Sequence, residues 1–525
     1  MNTAELFLRL GSHSIPVRHA QQGGEWAASE IRSAIARRET RILLVTDECV
    51  ALHYEQEFRQ ALTAAGFDVS AFVLPTGELH KTLSQVSGIL DTLAEERFAR
   101  DDLVVGFGGG VVTDIAGFAA AIYRRGMPWI AVPTTLMGMV DAAIGGKTGM
   151  DHPLGKNLIG TFHQPLAVFA PMNVLTTLDP REWLSGSAEV VKCALISGGR
   201  LWQLVRSHGP DLGRWSKVEM HEAVRLAAAV KIEIVSQDER DLGVRRLLNL
   251  GHTFGHALEA VTGYSRLTHG EAVFYGLRSA VQMSARLGLL PEKTAAGIDE
   301  VLARAPVPAV CIEPEALTDA LEHDKKTASG TLHWILLSDI GKLQITSEVS
   351  REIVNEAADR LCRIARAGVA GESTQIRKRI LVINGPNLNL LGTRQPEAYG
   401  TRSYEELIRW LRNAAAERDA ELLVRQSNIE GELVEIVQRA RQWADGIIIN
   451  PGGYTHTSVA LRDAISGVDV PAVEVHLSDV AKREPFRQVS LVSPVCVATI
   501  LGKGFDGYVE AMDLLIGRRK IPREP

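Results

Sequence analysis

Short apolar runs alternate with helical repeats at both ends of the chain, while its middle third is almost wholly helical in pattern. Arg41–Thr46 reads as a buried strand, and Asp68–Leu74, Asp102–Gly106 and the run from Trp129 to Thr135, with hydroxyls at its end, read as further strands. Helical segments at Tyr54–Ala65 and Ser84–Glu96 separate the first three, so a parallel sheet with helical crossovers is predicted. From Asp179 onward strand patterns fade. A helix is predicted to open at Ser185, another runs from near His221 to Gln237, and a third carries Asn249–Glu259 before a β-like tail at Leu332–Leu337. Residues 363–378 are mostly small and polar and read as a linker. Strands then restart at Ile380–Ile383, Glu421–Val424, Gly446–Ile449, Ala472–Val475 and Cys496–Ile500. Helical patterns at Tyr404–Glu417, Glu432–Ala444, Ser458–Ile465 and Gly507–Ile516 separate and follow them, which predicts a flavodoxin-like, doubly wound five-stranded parallel sheet. The expected organisation is an α/β domain over 1–178, a helical domain over 179–362, the linker, and a second α/β domain over 379–525.

Composition narrows the class. With 46% hydrophobic and 23% charged residues, the 525-residue chain is expected to fold as several soluble globular domains. A net charge of −6 gives no basic surface for nucleic acid or membrane. The five cysteines are scattered and never in CxxC spacing, so they read as free thiols in a reducing compartment. The chain starts without a basic, then apolar leader, and a cytoplasmic enzyme is the expectation.

Candidate chemistry gathers at four places. Gly106-Phe-Gly-Gly-Gly-Val-Val-Thr-Asp114 follows a strand, where glycines let backbone amides approach a phosphate, although the spacing fails the GxGxxG test. Lys147, Lys156 and Asn157 stand among glycines beyond Asp141, in a loop suited to a phosphate or carboxylate. His252 and His256 share one helix face, and His269 follows a break at Thr262-Gly263; with Asn249, Glu259 and Glu271 nearby, they point to a divalent metal site. In the last domain, Asn384, Asn387, Gln426-Ser427, Asn450, His456 and His476 fall at the predicted C-terminal ends of strands, where such folds bind ligands.

The blocks GGGVVTD, RRGMPWIAVPTTL, VDAAIGGKTG, PLGKNLIG, SGSAEVVK, DERDLGVRRLLNLGHTFGHALE, HGEAV and DKKTASG make residues 1 to about 362 resemble 3-dehydroquinate synthase. The resemblance implies an N-terminal NAD-binding domain, a C-terminal helical metal domain and an active site between them. It implies a divalent ion, zinc or alternatively cobalt, on Glu189, His252 and His269, and moves His256 to the substrate phosphate. Asp141, Lys147, Asn157, Lys192, Lys231, Arg245, Asn249 and Lys325 or Lys326 would bind substrate, and Arg125 its phosphate from a partner subunit. Asp47, Glu78, Lys81, Gly109, Gly110, Asp114, Thr134, Thr135 and Lys156 would border NAD. The implied substrate is 3-deoxy-D-arabino-heptulosonate 7-phosphate, oxidised transiently, stripped of phosphate, reduced again and closed into a carbocycle. Thr113 in place of a glycine, Met137-Gly-Met139, and Cys193-Ala194 in place of Tyr-Gly depart from the family pattern.

NGPNLNLLGTRQPEAYG, NPGGYTHTSVALRDA, EVHLSD and EPFR resemble type II 3-dehydroquinate dehydratase, a family without metal or cofactor. The resemblance makes Tyr399 the base, Arg394 the cation favouring its phenolate, Asn387 the enolate stabiliser, and His476 the acid oriented by Glu474. Asn450, His456, Arg487, Leu477 and Ser478 would bind substrate, with Asp463 coming from a neighbouring subunit. Together the two halves imply a bifunctional shikimate-pathway enzyme acting on small molecules as a homo-oligomer, dimeric through the first half and of higher order through the second. A sugar-phosphate cyclase of secondary metabolism fused to a matching dehydratase is the alternative.

Overall fold

The computed structural model describes residues 5–35, 37, 39–152, 155–262, 266–327, 332–367, 378–393, 400–418, 420–441, 444–478 and 489–517. The chain divides into two compact units, Met1–Thr262 with Leu267–Gly371, and Glu372–Pro525 with Gly263–Arg266.

The first unit is built on a seven-stranded sheet in the spatial order Leu6–Leu10, His13–Ala20, Val168–Pro171, Trp129–Pro133, Leu103–Gly108, Arg41–Asp47, Asp68–Leu74. Alternation along each strand divides its residues between two cores. Leu43, Val45 and Val104 meet Val86, Ile89 and Leu93 of the Leu83–Glu95 helix, whereas Ile42, Leu44, Leu103 and Val105 meet Ala27, Ile31, Phe58 and Leu62 on the other face. The sheet is not purely parallel as predicted, because Leu6–Leu10 and His13–Ala20 pair antiparallel. That hairpin leaves its outer positions partly exposed and so lacks the continuous apolar run of a buried strand. The stretch around Lys147, expected to be a loop, is an antiparallel hairpin of Lys147–His152 with Gly155–Phe162. Its strands sit unusually close at two glycines: a Cβ on Gly160 would lie 2.3 Å from the Thr148 carbonyl oxygen.

Helices dominate beyond it. The helix predicted to open at Ser185 starts at Pro180, where Asp179 accepts the Arg181 N–H and proline occupies the first turn. The helices Lys217–Gln237, His252–Val261 and His269–Arg286 follow, and Trp334–Asp339 pairs with Lys342–Thr346. The last helix, Arg351–Ala367, runs into the segment read as a linker, because Ala358, Leu361, Cys362 and Ala365 continue one buried face. The rest of that segment, apart from residue 378, lies outside the described residues.

The second unit has five parallel strands, Glu421–Gln426, Arg379–Asn384, Gly446–Asn450, Ala472–His476 and Ala498–Leu501, in that spatial order. Relative to sequence this is 2-1-3-4-5, the flavodoxin-like order predicted. Leu407, Leu411, Tyr508 and Met512 cover one face, and Leu433, Val437, Leu461 and Ile465 the other. Among the described residues no helix is long and apolar enough to cross a membrane, and all five cysteines are free thiols.

Candidate active sites

In the first unit, two glycines bring distant helices into backbone contact. Gly270 lies against Ser185, so close that a Cβ there would fall 2.0 Å from the Ser185 carbonyl oxygen, and the Ser185 hydroxyl accepts the Gly270 N–H at 3.1 Å. Gly276 abuts Gly251 in the same way, at 1.8 Å from its carbonyl oxygen. Glu189 is one turn beyond Ser185, His269 is beside Gly270, and His252 follows Gly251. The two contacts therefore converge three side chains from three helices.

Glu189 is 1% exposed, and its Oε1 lies 3.5 Å from His252 Nε2 and 3.6 Å from His269 Nε2. The ligand atoms of all three lie within 4.8 Å of one another, and Glu189 Oε1 accepts no hydrogen bond. Two imidazoles and a carboxylate around an unsatisfied buried oxygen suit a divalent ion of the zinc type. Each ring is fixed through its other nitrogen, His252 Nδ1 on the Leu250 carbonyl (3.2 Å) and His269 Nδ1 on Glu259 Oε2 (3.1 Å). Burial opposes charge on Glu189, but Lys192, His269 and His252 overcome it and hold its carboxyl well below the usual range. Burial likewise works against protonated His269, yet the carboxylates of Glu189 and Glu259 push it up to about 10.

His256, on the exposed side of its helix, also lies within reach of Glu259 and His269. Glu259 is engaged there by His269 and by Lys156 Nζ at 3.1 Å. Glu271, flagged by its position, is no part of the cluster. It closes a capping box with Thr268 and accepts from two guanidinium nitrogens of Arg181, Nε at 2.9 Å and Nη2 at 2.7 Å, which anchors the helix that begins with His269.

Basic groups line the approach. Lys192 pairs with Glu189 and lies 3.7 Å from Asp141 Oδ1, and Lys231 Nζ donates to the same oxygen at 2.6 Å. Lys192, Lys231 and Arg245 are 1%, 7% and 2% exposed, an unusual density of buried cations. Arg245 donates to the carbonyls of Gly145 and Glu239. Asn249 is exposed at the end of the Val244–Asn249 turn. Lys147 is exposed and paired with Asp241. The side chains of Lys325 and Lys326 lie outside the described set.

The residues expected to border NAD divide between the sheet edge and the hairpin. Gly109 precedes, and Gly110 opens, the helix Gly110–Ile122, where a Cβ on Gly109 would meet Thr135 Cγ2 at 3.0 Å. Thr134 carries a buried hydroxyl without a hydrogen-bond partner, and Thr135 Oγ1 accepts the Gly138 N–H. Lys81 Nζ donates to Asp114 Oδ2 and to Asn157 Oδ1, each at 2.6 Å, tying the hairpin to that helix, with Glu78 at 4.0 Å. Asp47 instead caps its own helix, accepting from Cys49 and Val50. Thr113 fits without a glycine, since its hydroxyl donates to the Gly110 carbonyl at 3.0 Å. Met139 and Cys193 are buried in the core, where burial pushes the Cys193 thiol up to about 12.

Arg125 is not brought to this cluster. It is exposed, in left-handed backbone (φ 63°), beyond the far end of the helix that Gly110 opens, and a helix of 13 residues spans about 20 Å.

In the second unit the polar residues meet because the strands end in register: Asn384 pairs with both Gln426 and Asn450. Gly385 lets this edge close, since a Cβ there would lie 2.3 Å from the Pro451 oxygen. Asn387 takes left-handed backbone (φ 66°) and donates its N–H to Asn428 Oδ1 at 2.9 Å. Glu474 is fully buried and accepts from His476 Nε2 at 3.0 Å. His456 Nδ1 meets the Val489 carbonyl at 2.6 Å. Leu477 is buried and Ser478 half-buried just past His476. Asp463 is exposed on the Val459–Gly467 helix. Arg394, Tyr399 and Arg487 lie outside the described residues.

Sequence reasoning missed three groups here. Tyr508, fully buried, donates to Asn384 Oδ1 (2.6 Å) and accepts from Asn450 Nδ2 (3.1 Å), while Ser490 and Thr499 both reach Glu474. Tyr508 sits within an apolar helical pattern, and only its partners reveal a polar task.

Comparison with known proteins agrees with this division. Residues 71–185 match the family 3-dehydroquinate synthase N-terminal, 186–327 the family 3-dehydroquinate synthase C-terminal, and 378–516 the family Dehydroquinase class II. The 3-dehydroquinate synthase of Jannaschia sp. (strain CCS1) is 41% identical over 336 residues, covering 62% of this chain and 91% of that protein. That of Paracoccus denitrificans (strain Pd 1222) is 38% identical over 364 residues, covering 68% and 98%. Among solved structures, the 2-epi-5-epi-valiolone synthase of Streptomyces hygroscopicus subsp. jinggangensis 5008, with NAD+ and Zn2+ bound, superimposes with a TM-score of 0.58 at 29% identity, covering 62% of this chain and 91% of that one. The chain belongs to the 3-dehydroquinate synthase family and carries a class II dehydroquinase domain behind it.

Proposed function

We propose that the chain performs two consecutive steps of the shikimate pathway. The first half converts 3-deoxy-D-arabino-heptulosonate 7-phosphate to 3-dehydroquinate, and the second dehydrates that product to 3-dehydroshikimate. One observation carries the reading: a single chain holds a synthase and a dehydroquinase, the first making what the second consumes.

In the first half, Glu189, His252 and His269 would hold a divalent ion, zinc by donor set and cobalt as the alternative. Asp47, Glu78, Lys81, Gly109, Gly110, Asp114, Thr134, Thr135 and Lys156 would hold NAD. When bound, the ion supplies Lewis acidity and NAD a reversible two-electron oxidant. Lys192, Lys231 and Arg245, with Lys147, Asn157, Asn249 and Asp141, bind the substrate's carboxylate and hydroxyls. Lys325 and Lys326 follow by resemblance. His256 and, from a neighbouring copy, Arg125 take the phosphate, and the surrounding cations favour its departure as an anion.

In the second half Tyr399 removes the proton next to the ketone, with Arg394 favouring its phenolate. Asn387 stabilises the enolate, and His476, oriented by Glu474, delivers the proton to the departing hydroxyl. Asn450, His456, Leu477, Ser478 and Arg487 position the substrate, and Asp463 serves a neighbouring copy. This half uses neither metal nor cofactor. The reading carries with it a cytoplasmic homo-oligomer acting on small molecules.

The test supplies the heptulosonate phosphate with catalytic NAD and zinc and follows phosphate release and enone absorbance. No phosphate, or NADH accumulating stoichiometrically, overturns the synthase assignment. Tyr399→Phe should stop enone formation while phosphate release continues. Glu189→Ala should do the reverse, still consuming added 3-dehydroquinate. The likeness to a valiolone synthase favours one second reading, a cyclase for another sugar phosphate, which the same assay decides by substrate.

A further inference from the structure

Ser490 lies outside every motif that marks the second site, yet its hydroxyl is committed to it. Ser490 Oγ accepts the backbone N–H groups of Val492 (3.1 Å) and Ser493 (2.9 Å). Its own proton is then left to donate, and Glu474 Oε1 and Oε2 stand 2.9 and 3.1 Å away. Glu474 is wholly buried, and its other partners are His476 Nε2 at 3.0 Å and Thr499 Oγ1 at 3.5 Å, the latter held by Ser493 Oγ at 2.8 Å. The neighbouring backbone ties the same segment to the substrate edge: Leu491 N–H donates to the Thr455 carbonyl at 2.9 Å, and the Val489 carbonyl meets His456 Nδ1.

We propose that Ser490 is a positioning residue for dehydration, the third member of a Ser490–Glu474–His476 relay of hydrogen bonds. This rests on the dehydratase reading. Without Ser490, Glu474 keeps among the described residues only His476 and the long Thr499 contact at 3.5 Å, and its carboxylate could turn about its last bond. One clamped by a hydroxyl whose own direction is fixed by two backbone donors cannot, so His476 keeps one ring orientation. Nε2–H faces Glu474, and Nδ1 is the nitrogen that delivers the proton to the leaving hydroxyl. Ser490 touches neither substrate nor leaving group, and its effect falls on turnover, not on affinity.

The experiment uses the full chain and added 3-dehydroquinate, reading enone absorbance, with phosphate release from the first half as an internal measure of intact protein. Ser490→Ala should lower kcat roughly tenfold or more, within the range a general acid supplies, and leave KM within about twofold. Ser490→Thr, which keeps the hydroxyl, should recover kcat, and Ser490→Cys, a weak donor, should fall between. Wild-type kcat in Ser490→Ala, a change confined to KM, or no recovery in Ser490→Thr overturns the proposal. A wild-type chain that fails to dehydrate 3-dehydroquinate overturns the underlying reading instead.

Discussion

Replacing Gly270 by alanine drives a methyl carbon to 2.0 Å from the Ser185 carbonyl oxygen, 2.4 Å from its Cα and 2.5 Å from its carbonyl carbon. All three atoms are backbone, so no side chain can swing aside. Bringing the contact to an ordinary separation requires the helices Pro180–Ser197 and His269–Arg286 to part by about 1 Å or more. Glu189 rides on the first helix and His269 on the second. Metal sites tolerate ligand displacements of only about 0.2 Å, so the three donors would no longer close on one ion. Zinc affinity should drop on the order of 10- to 100-fold, with about 1–3 kcal/mol lost from overpacking. Competition against a chromogenic chelator measures the first, and denaturant unfolding in EDTA the second. Gly297→Ala is the control, because that helical position has nothing within 4 Å of an added Cβ. It should leave zinc affinity unchanged. Wild-type zinc affinity in Gly270→Ala, or an equal loss in Gly297→Ala, would refute the idea that helix contact sets the ligand geometry.

Glu259→Gln removes the carboxylate that orients His269 and should weaken zinc about tenfold in the same competition; unchanged affinity would show that His269 needs no such partner. Asp151 is raised to about 6, chiefly by burial and then by Glu78, so the folded chain holds its proton more tightly than the unfolded chain. Its stabilising contribution is full below the ordinary carboxylate range near ~3.9 and is lost as pH rises through about 6. Asp151→Asn should therefore flatten the fall in stability of the first unit across that window, and a parallel profile for both proteins would exclude the assignment. Tyr508→Phe leaves the buried amides of Asn384 and Asn450 one partner short, a loss of about 1–3 kcal/mol read as a lower denaturant midpoint for the second unit. An unchanged midpoint would mean that the two amides find other partners.

The second domain was legible almost entirely from pattern. Its three central strands are continuous apolar runs covered on both faces, and polar residues follow each of them, so fold and site emerge from the same signal. In the first unit burial did not decide what was legible: the largely exposed edge strand Asp68–Leu74 shows in its apolar run, whereas the buried strand Val168–Pro171 is only four residues long and does not announce itself. The unit's opening hairpin and the Lys147–Phe162 hairpin are half-exposed and rich in polar residues and glycine, and their alternation is too weak to announce strands. The helix over Pro180–Ser197 begins before its pattern shows, because its cap, Asp179-Pro180, precedes the apolar face by a full turn. Ser490 was illegible for another reason: what gives it a role is a buried carboxylate sixteen residues earlier, which no local pattern encodes.

The histidine stretch shows what distinguishes a ligand from a neighbour. His252 and His256 occupy one helix face, with ring centroids 5.4 Å apart, and spacing alone makes them equivalent. They differ in exposure and in the carboxylate within reach, Glu189 for His252 and Glu259 for His256. His252 Nδ1 is held by the Leu250 carbonyl and His269 Nδ1 by Glu259, so both rings turn Nε2 toward Glu189, whereas His256 stays on the exposed side. A ring whose tautomer and orientation are already fixed gives up less freedom on binding a metal, which suits His252 and His269 to the proposed role. The same logic runs through the second unit, where Glu474 fixes Nε2 of His476 and Ser490 fixes Glu474. In both halves the histidine proposed to work is held by a partner behind it. For His269 that partner comes from the preceding helix, whereas for His252 and His476 it stands two residues earlier in the chain, at Leu250 and Glu474.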